Sequence, residues 1–136
     1  MTHLVCQILG EPVGQGRPRA VRVGAFVRVH AAPKSASWQA TAAQFMAHVW
    51  AGKVPLDEPV RVVIDAIGRR PKSAPKKKPG RLWRTTKPDA DNVAKATCDA
   101  LVKAGVLRDD TLVGELVVHS LVAGVDEGPA VVVRVE

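Results

Sequence analysis

Apolar residues along this chain fall into short blocks, and two stretches carry the wider spacing of an amphipathic helix. Leu4 to Leu9 is short and apolar and is stopped by Gly10-Glu11-Pro12, the pattern of an opening strand. Val21, Val23, Phe26, Val27 and Val29, split by Gly24-Ala25, predict a hairpin after a basic loop at Gly14-Gln15-Gly16-Arg17-Pro18-Arg19. After Pro33-Lys34-Ser35, residues Trp38, Ala42, Phe45, Met46 and Val49 recur at helical spacing. They predict an amphipathic helix whose apolar face forms core and which ends near Trp50-Ala51-Gly52. Pro59 to Ile67, dominated by Val and Ile, reads as a buried strand with Gly68 at its end. Asp91 to Ala104 reads as a second helix, with Val93, Thr97, Ala100, Leu101 and Ala104 on its buried face and Gly105 as its stop. Thr111 to Val122 and Ala130 to Val135 are closing strands. With no internal repeat, the pattern predicts an α+β fold: one domain over residues 1–136, a mixed β-sheet with two main helices packed on it.

Charge interrupts this pattern at one place. From Arg69 to Lys87 the chain carries Arg69, Arg70, Lys72, Lys76, Lys77, Lys78, Arg81, Arg84 and Lys87, broken by Pro71, Pro75 and Pro79, with no acidic residue among them. Such a segment is expected to be a mobile loop or a ragged hairpin at about 69–87. Over the whole chain 20 Lys and Arg stand against 13 Asp and Glu, a net charge of +7, so a polyanion is the natural partner. Charge alone does not distinguish DNA, RNA and an anionic membrane surface. No apolar run approaches the ~18 residues of a membrane span, and the N-terminus lacks a basic-then-apolar signal. The expectation is therefore a soluble, cytoplasmic protein with no membrane partner. Cys6 and Cys98 sit in apolar strand-like and helix-like segments and are expected to be reduced thiols. His3, His30, His48 and His119 form no zinc spacing.

The acidic residues are concentrated where the second helix begins and just past its end: Asp89, Asp91 and Asn92, then Asp109 and Asp110. A lone aspartate after proline and before a helix is ordinarily an N-cap, accepting hydrogen bonds from backbone N–H groups that lack helical partners. Asp91 and Asn92 change that balance, because two carboxylates and an amide oxygen in one turn are the hard ligands that Mg²⁺ prefers. A helix from Asp89 to Ala104 is about 22 Å long at ~1.5 Å per residue. The segment from Val106 to Asp110 spans at most roughly 17 Å, so Asp110 reaches the first carboxylates only if the return is nearly extended. Three converging carboxylates would repel one another unless a cation shared the site. Lys95 lies at i,i+4 from Asp91. It is either part of an exposed Asp91–Lys95–Asp99–Lys103 ion-pair stripe or a cation that steadies a phosphate in the transition state. An EF-hand is excluded, because the required Gly and Glu positions hold Ala94 and Ala100.

The run Asp89-Ala90-Asp91-Asn92 with Lys95, followed by Asp99-Ala100-Leu101, Lys103-Ala104-Gly105-Val106 and Asp109-Asp110 with Val113, resembles the signature of the RusA-type Holliday-junction resolvases. Gly16-Arg17-Pro18-Arg19 and Pro33-Lys34 resemble the phage and prophage branch of that family. The resemblance implies a small α+β homodimer that nicks four-way DNA junctions symmetrically with Mg²⁺, or Mn²⁺ in its place. It matches Asp89, Asp91 and Asp110 to metal-binding and catalytic aspartates and Lys95 to an essential lysine. It leaves Asn92, Asp99 and Asp109 in supporting roles. Where the family often carries an aromatic residue ahead of its acidic pair, this chain has Val106 and Leu107.

On this reading Arg17, Arg19, Lys34, Arg69, Arg70, Lys76, Lys77, Lys78, Arg81 and Lys87 are candidate DNA phosphate contacts. The plain alternative for the basic run is a solvated loop kept for solubility. His30, near the basic loop, is a further candidate phosphate contact. Trp38 and Trp50 are expected in the core or a dimer contact, and the closing strands are one candidate dimer surface. Trp83, inside the basic tract, has no obvious core to join and suits stacking on an exposed base. Two rival functions stay open: a Mg²⁺-dependent nuclease for flaps, forks or RNA, and a non-catalytic DNA-binding accessory protein whose acidic residues are only caps and ion pairs.

Overall fold

The computed structural model of the chain describes residues 1–15, 19–23, 26–30 and 33–136, with only the backbone described for 19–23, 26–30 and 33. Its strands are β1 (Leu4–Leu9), β2 (Arg19–Val23), β3 (Phe26–His30), β4 (Val60–Gly68), β5 (Leu82–Trp83), β6 (Val113–Val122) and β7 (Ala130–Val135). Its helices are α1 (Pro33–Trp50) and α2 (Ala90–Lys103). Five strands form one mixed sheet in the order β1-β7-β4-β6-β5, and β2 pairs with β3 as an antiparallel hairpin. The α+β expectation holds.

The Val/Ile-rich β4 occupies the middle of the sheet and is buried on both faces, with Val62 and Ile64 on one and Val63 and Ile67 on the other. β4 pairs antiparallel with β7 and parallel with β6. A parallel neighbour requires a crossover, and α2 supplies it between β4 and β6. Both helices lie on one face. Leu4, Cys6 and Ile8 of β1, Val62 and Ile64 of β4, and Val131, Val133 and Val135 of β7 meet Trp38, Ala42, Met46 and Trp50 of α1 and Val93, Ala100 and Leu101 of α2 there.

The buried stripe of α1 differs from the predicted one. Trp38, Ala42, Met46 and Trp50 are buried, but Phe45 is 48% exposed and Val49 44% exposed. The true stripe steps by four residues, which leaves Phe45 and Val49 one position to its side. The close of α2 follows the sequence more directly. Gly105 adopts φ +78°, its N–H donates to the Val102 carbonyl, and the Val106 N–H donates to the Leu101 carbonyl. This is a Schellman ending, with Val106 and Leu101 both buried in the same core cluster.

β6 begins at Val113 rather than Thr111, because Asp110–Leu112 forms a 3₁₀ turn capped by Asp109, whose side chain accepts from the Thr111 N–H at 2.9 Å. The basic segment also has internal attachments. Arg70 donates to the carbonyls of Lys78, Pro75, Gly80 and Ala123 at 2.7, 2.8, 3.0 and 3.2 Å. Leu82 and Trp83 pair with Val122 and Leu121 at the sheet edge. Among the described residues no helix is long and apolar enough to cross a membrane.

Candidate functional site

Asp89 occupies the N-cap of α2 in extended conformation (φ −68°, ψ 148°), yet its side chain makes no capping hydrogen bond. The expected capping role is thus not taken, and the carboxylate is left for other partners. It lines an open cleft with Lys87, Pro88 and Asn92 on one side, Pro12 to Gln15 on another, and Lys34 and Ser35 from the first turn of α1 on a third. The Gln15 N–H donates to the Asn92 carbonyl at 3.0 Å, which ties the loop after β1 to the start of α2.

The electrostatics of this cleft are mixed by construction. The first turn of α1 holds no acidic residue, so its helix dipole meets no carboxylate from within the turn. Lys34 and Lys87 add two ammonium groups, and Asp89 brings one carboxylate. Such a surface can take an anion against the helix end and lysines while presenting a carboxylate oxygen to a cation. Asp91 is exposed and makes no ion pair among the described residues.

Asp110 faces a second cleft, lined by Gln39, Asp99, Val102, Lys103 and Asp109. Its proximity to the middle of α2 is seen at Cys98: burial first, then the Asp99 and Asp110 charges, push that thiol up to about 11. Cys98 therefore stays protonated at neutral pH, and Cys6 is likewise raised by burial. The nearly extended return needed to bring Asp110 to Asp89 and Asp91 is replaced by a packed one. Val106 and Leu107 are buried, Leu107 bridges Leu56, and the Leu56 N–H and carbonyl bond Val106 and Arg108. Among the described residues, no three His, Cys, Asp or Glu side chains gather closely enough to hold one ion.

The acidic pair is asymmetric. The Thr111 backbone N–H, then the Thr111 hydroxyl and Asp110, hold the Asp109 carboxyl below the usual carboxylate range. Asp109 thus serves the 3₁₀ turn, in keeping with a supporting role. Of the proposed ion-pair stripe only Lys95–Asp99 forms, at 3.9 Å. Lys103 instead donates to the Gln39 side chain at 3.1 Å, and Gln39 donates to Gln15 at 2.5 Å. Gln39 is 6% exposed and stands between the two clefts. Its role does not show in the residue pattern, where a glutamine directly beside the Trp38–Ala42–Met46 stripe is the one signal that marks it.

The candidate phosphate contacts divide in the same way. Arg17 lies outside the described residues, as do the side chains of Arg19 and His30. Arg70 is engaged by four carbonyls, and Arg81 forms a fork with Glu127 at 2.7 to 3.1 Å. Hydrogen bonds from Arg81, then the Gly124 N–H, lower the Glu127 carboxyl to about 2. Lys76, Lys77, Lys78, Lys87 and Arg69 are exposed. Trp83 is 70% exposed, its ring 6.2 Å from that of His119, whose Nδ1 lies 2.7 Å from Asp65.

The donor set suits a hard divalent cation. Mg²⁺ is commonly held by one or two carboxylates with water and substrate phosphate filling its shell, and Asp89 and Asn92, which line the cleft, and Asp91, which does not, are oxygen-bearing side chains of that type. The model of the family described as "Endodeoxyribonuclease RusA" matches residues 10–136. A Bacillus subtilis (strain 168) protein, "Uncharacterized protein YqaN", is 32% identical over 115 residues, covering 80% of each chain.

Proposed function

We propose that this chain, which belongs to the RusA endodeoxyribonuclease family, resolves four-way DNA junctions by paired symmetric nicks, as a homodimer using Mg²⁺ or Mn²⁺. The observation that carries this reading is the Asp89 carboxylate, which makes no capping hydrogen bond and shares a cleft with Lys34 and Lys87.

The scissile phosphate lies against Lys34, Lys87 and the first-turn amides of α1, which take up its negative charge and fix its orientation. Asp89 and Asp91, with Asn92 beside them, are the side chains that would hold the cation, and Asp110, which lines the second cleft, would be the third carboxylate of the set. When bound, such an ion would supply charge neutralisation of the phosphate and a more acidic water for in-line attack. Lys95, exposed on the same helix, steadies the charge developing on the phosphate or its leaving oxygen. Attack breaks the P–O3′ bond and leaves a 5′-phosphate and a 3′-hydroxyl. A four-way junction has approximate two-fold symmetry, so two copies of the site make the paired cut. The β6 edge not covered by β5, with exposed Leu116, is one candidate for the contact between copies.

The test is cleavage of a four-way junction, a flap and a linear duplex, each with and without Mg²⁺. Paired nicks confined to the junction and dependent on Mg²⁺ support the reading. Preference for the flap would assign a different substrate, and no cutting of any of the three would leave a DNA-binding protein.

A further inference from the structure

Arg84 reads, in the sequence, as one more cation of the basic segment, but its surroundings are different. Its backbone N–H donates to the Ser120 carbonyl of β6 at 2.9 Å, and its side chain crosses the end of β4. A Cβ placed on Gly68 would stand 2.1 Å from Nη1 and 2.8 Å from Cζ, so the guanidinium occupies space that only glycine leaves open. From this seat Nη2 donates to the Lys87 carbonyl at 2.8 Å and Nε to the Thr86 hydroxyl at 3.3 Å. Nη1 is buried with no hydrogen-bond partner among the described residues and lies 3.6 Å from the Glu11 carboxylate, whose other oxygen accepts from the Arg69 N–H at 2.7 Å.

A buried guanidinium nitrogen lacking a hydrogen bond is costly, and the Glu11 charge is what offsets it. The Lys87 carbonyl is two residues from the uncapped Asp89. We infer that Arg84 is a positioning residue: seated over Gly68 and held by Glu11, it fixes the Lys87 carbonyl and so aims the Asp89 carboxylate into the cleft. This rests on the reading of Asp89 given above. A phosphate contact would direct the guanidinium outward, whereas here Nε and Nη2 donate within the 84–87 turn and Nη1 faces Glu11.

Three variants of the full chain separate positioning from charge: Arg84→Gln, Arg84→Lys and Gly68→Ala. Arg84→Lys keeps the charge but not the fork, and Gly68→Ala displaces an intact Arg84. Hydrogen exchange over residues 85–93 is expected to rise about tenfold in Arg84→Gln and Gly68→Ala, with β4 and β6 amides unchanged. Junction-cleavage kcat is expected to fall by about 10²-fold in both, with junction affinity within about twofold. Arg84→Lys is expected to follow Arg84→Gln. Unchanged exchange over 85–93, faster exchange with kcat intact, or full kcat in Arg84→Lys would overturn the inference. Should the unaltered protein cut no junction, the reading of the site falls, and exchange alone then decides whether Arg84 holds the segment.

Discussion

At the scale of single residues, the same side-chain type takes opposite roles according to what surrounds it. Asp109 is engaged by Thr111, while Asp89, in the position that usually caps, makes no capping bond. Arg81 and Arg70 are bonded internally, while Lys76, Lys77 and Lys78 are exposed. Glu127 offers a measurable consequence. Its carboxyl is lowered from 4.5 to about 2, so the folded state favours the charged form. Its contribution to stability is present above the unfolded pKa and is lost as pH falls from about 4.5 towards 2. Glu127→Gln should therefore lower Tm at pH 7 and lose most of that difference near pH 2; an equal Tm deficit at both would contradict the Arg81 pairing. None of these distinctions was legible in the sequence. Every basic residue of the 69–87 segment looks alike until Gly68, Glu11 and Glu127, distant in the chain, are brought beside it.

Elements were more legible, because hydrophobic periodicity and turn residues act locally. Both helices, the central Val/Ile strand and the closing strands lie where their patterns predict, and Gly105 ends α2 as expected. The misplaced parts have a common cause. Phe45 and Val49 fit a 3.6-residue stripe as well as Trp50 does, and it is the packing of α1 against β1 and α2 that buries Trp50 instead. Similarly, contour length permitted an extended return to Asp110, but burial of Val106 and Leu107 against the Leu56 segment selected a packed one. The φ of +78° at Gly105 makes the turn testable. Gly105→Ala should cost about 1 kcal/mol by forcing a Cβ into the left-handed region. Urea unfolding measures it, and an unchanged midpoint would show that the turn tolerates a side chain.

For the whole molecule, the sheet and both helices bring a carboxylate, two lysines and two helix starts to one cleft, within a chain of net charge +7. The three exposed lysines of the basic segment should act collectively on DNA. Replacing Lys76, Lys77 and Lys78 with Gln should lower the slope of log K against log salt by up to about 3. An unchanged slope would assign the segment to solubility. The family and the mixed-sheet fold followed from local motifs, but the arrangement of the acidic residues depended on tertiary packing that no spacing rule carries. The most direct test of the account is Asp91→Asn, assayed for both binding and cutting of a four-way junction at saturating Mg²⁺. The account predicts affinity within a few-fold of the unaltered protein and cleavage reduced by at least about 10³-fold. Cleavage retained at near-normal rate would contradict it.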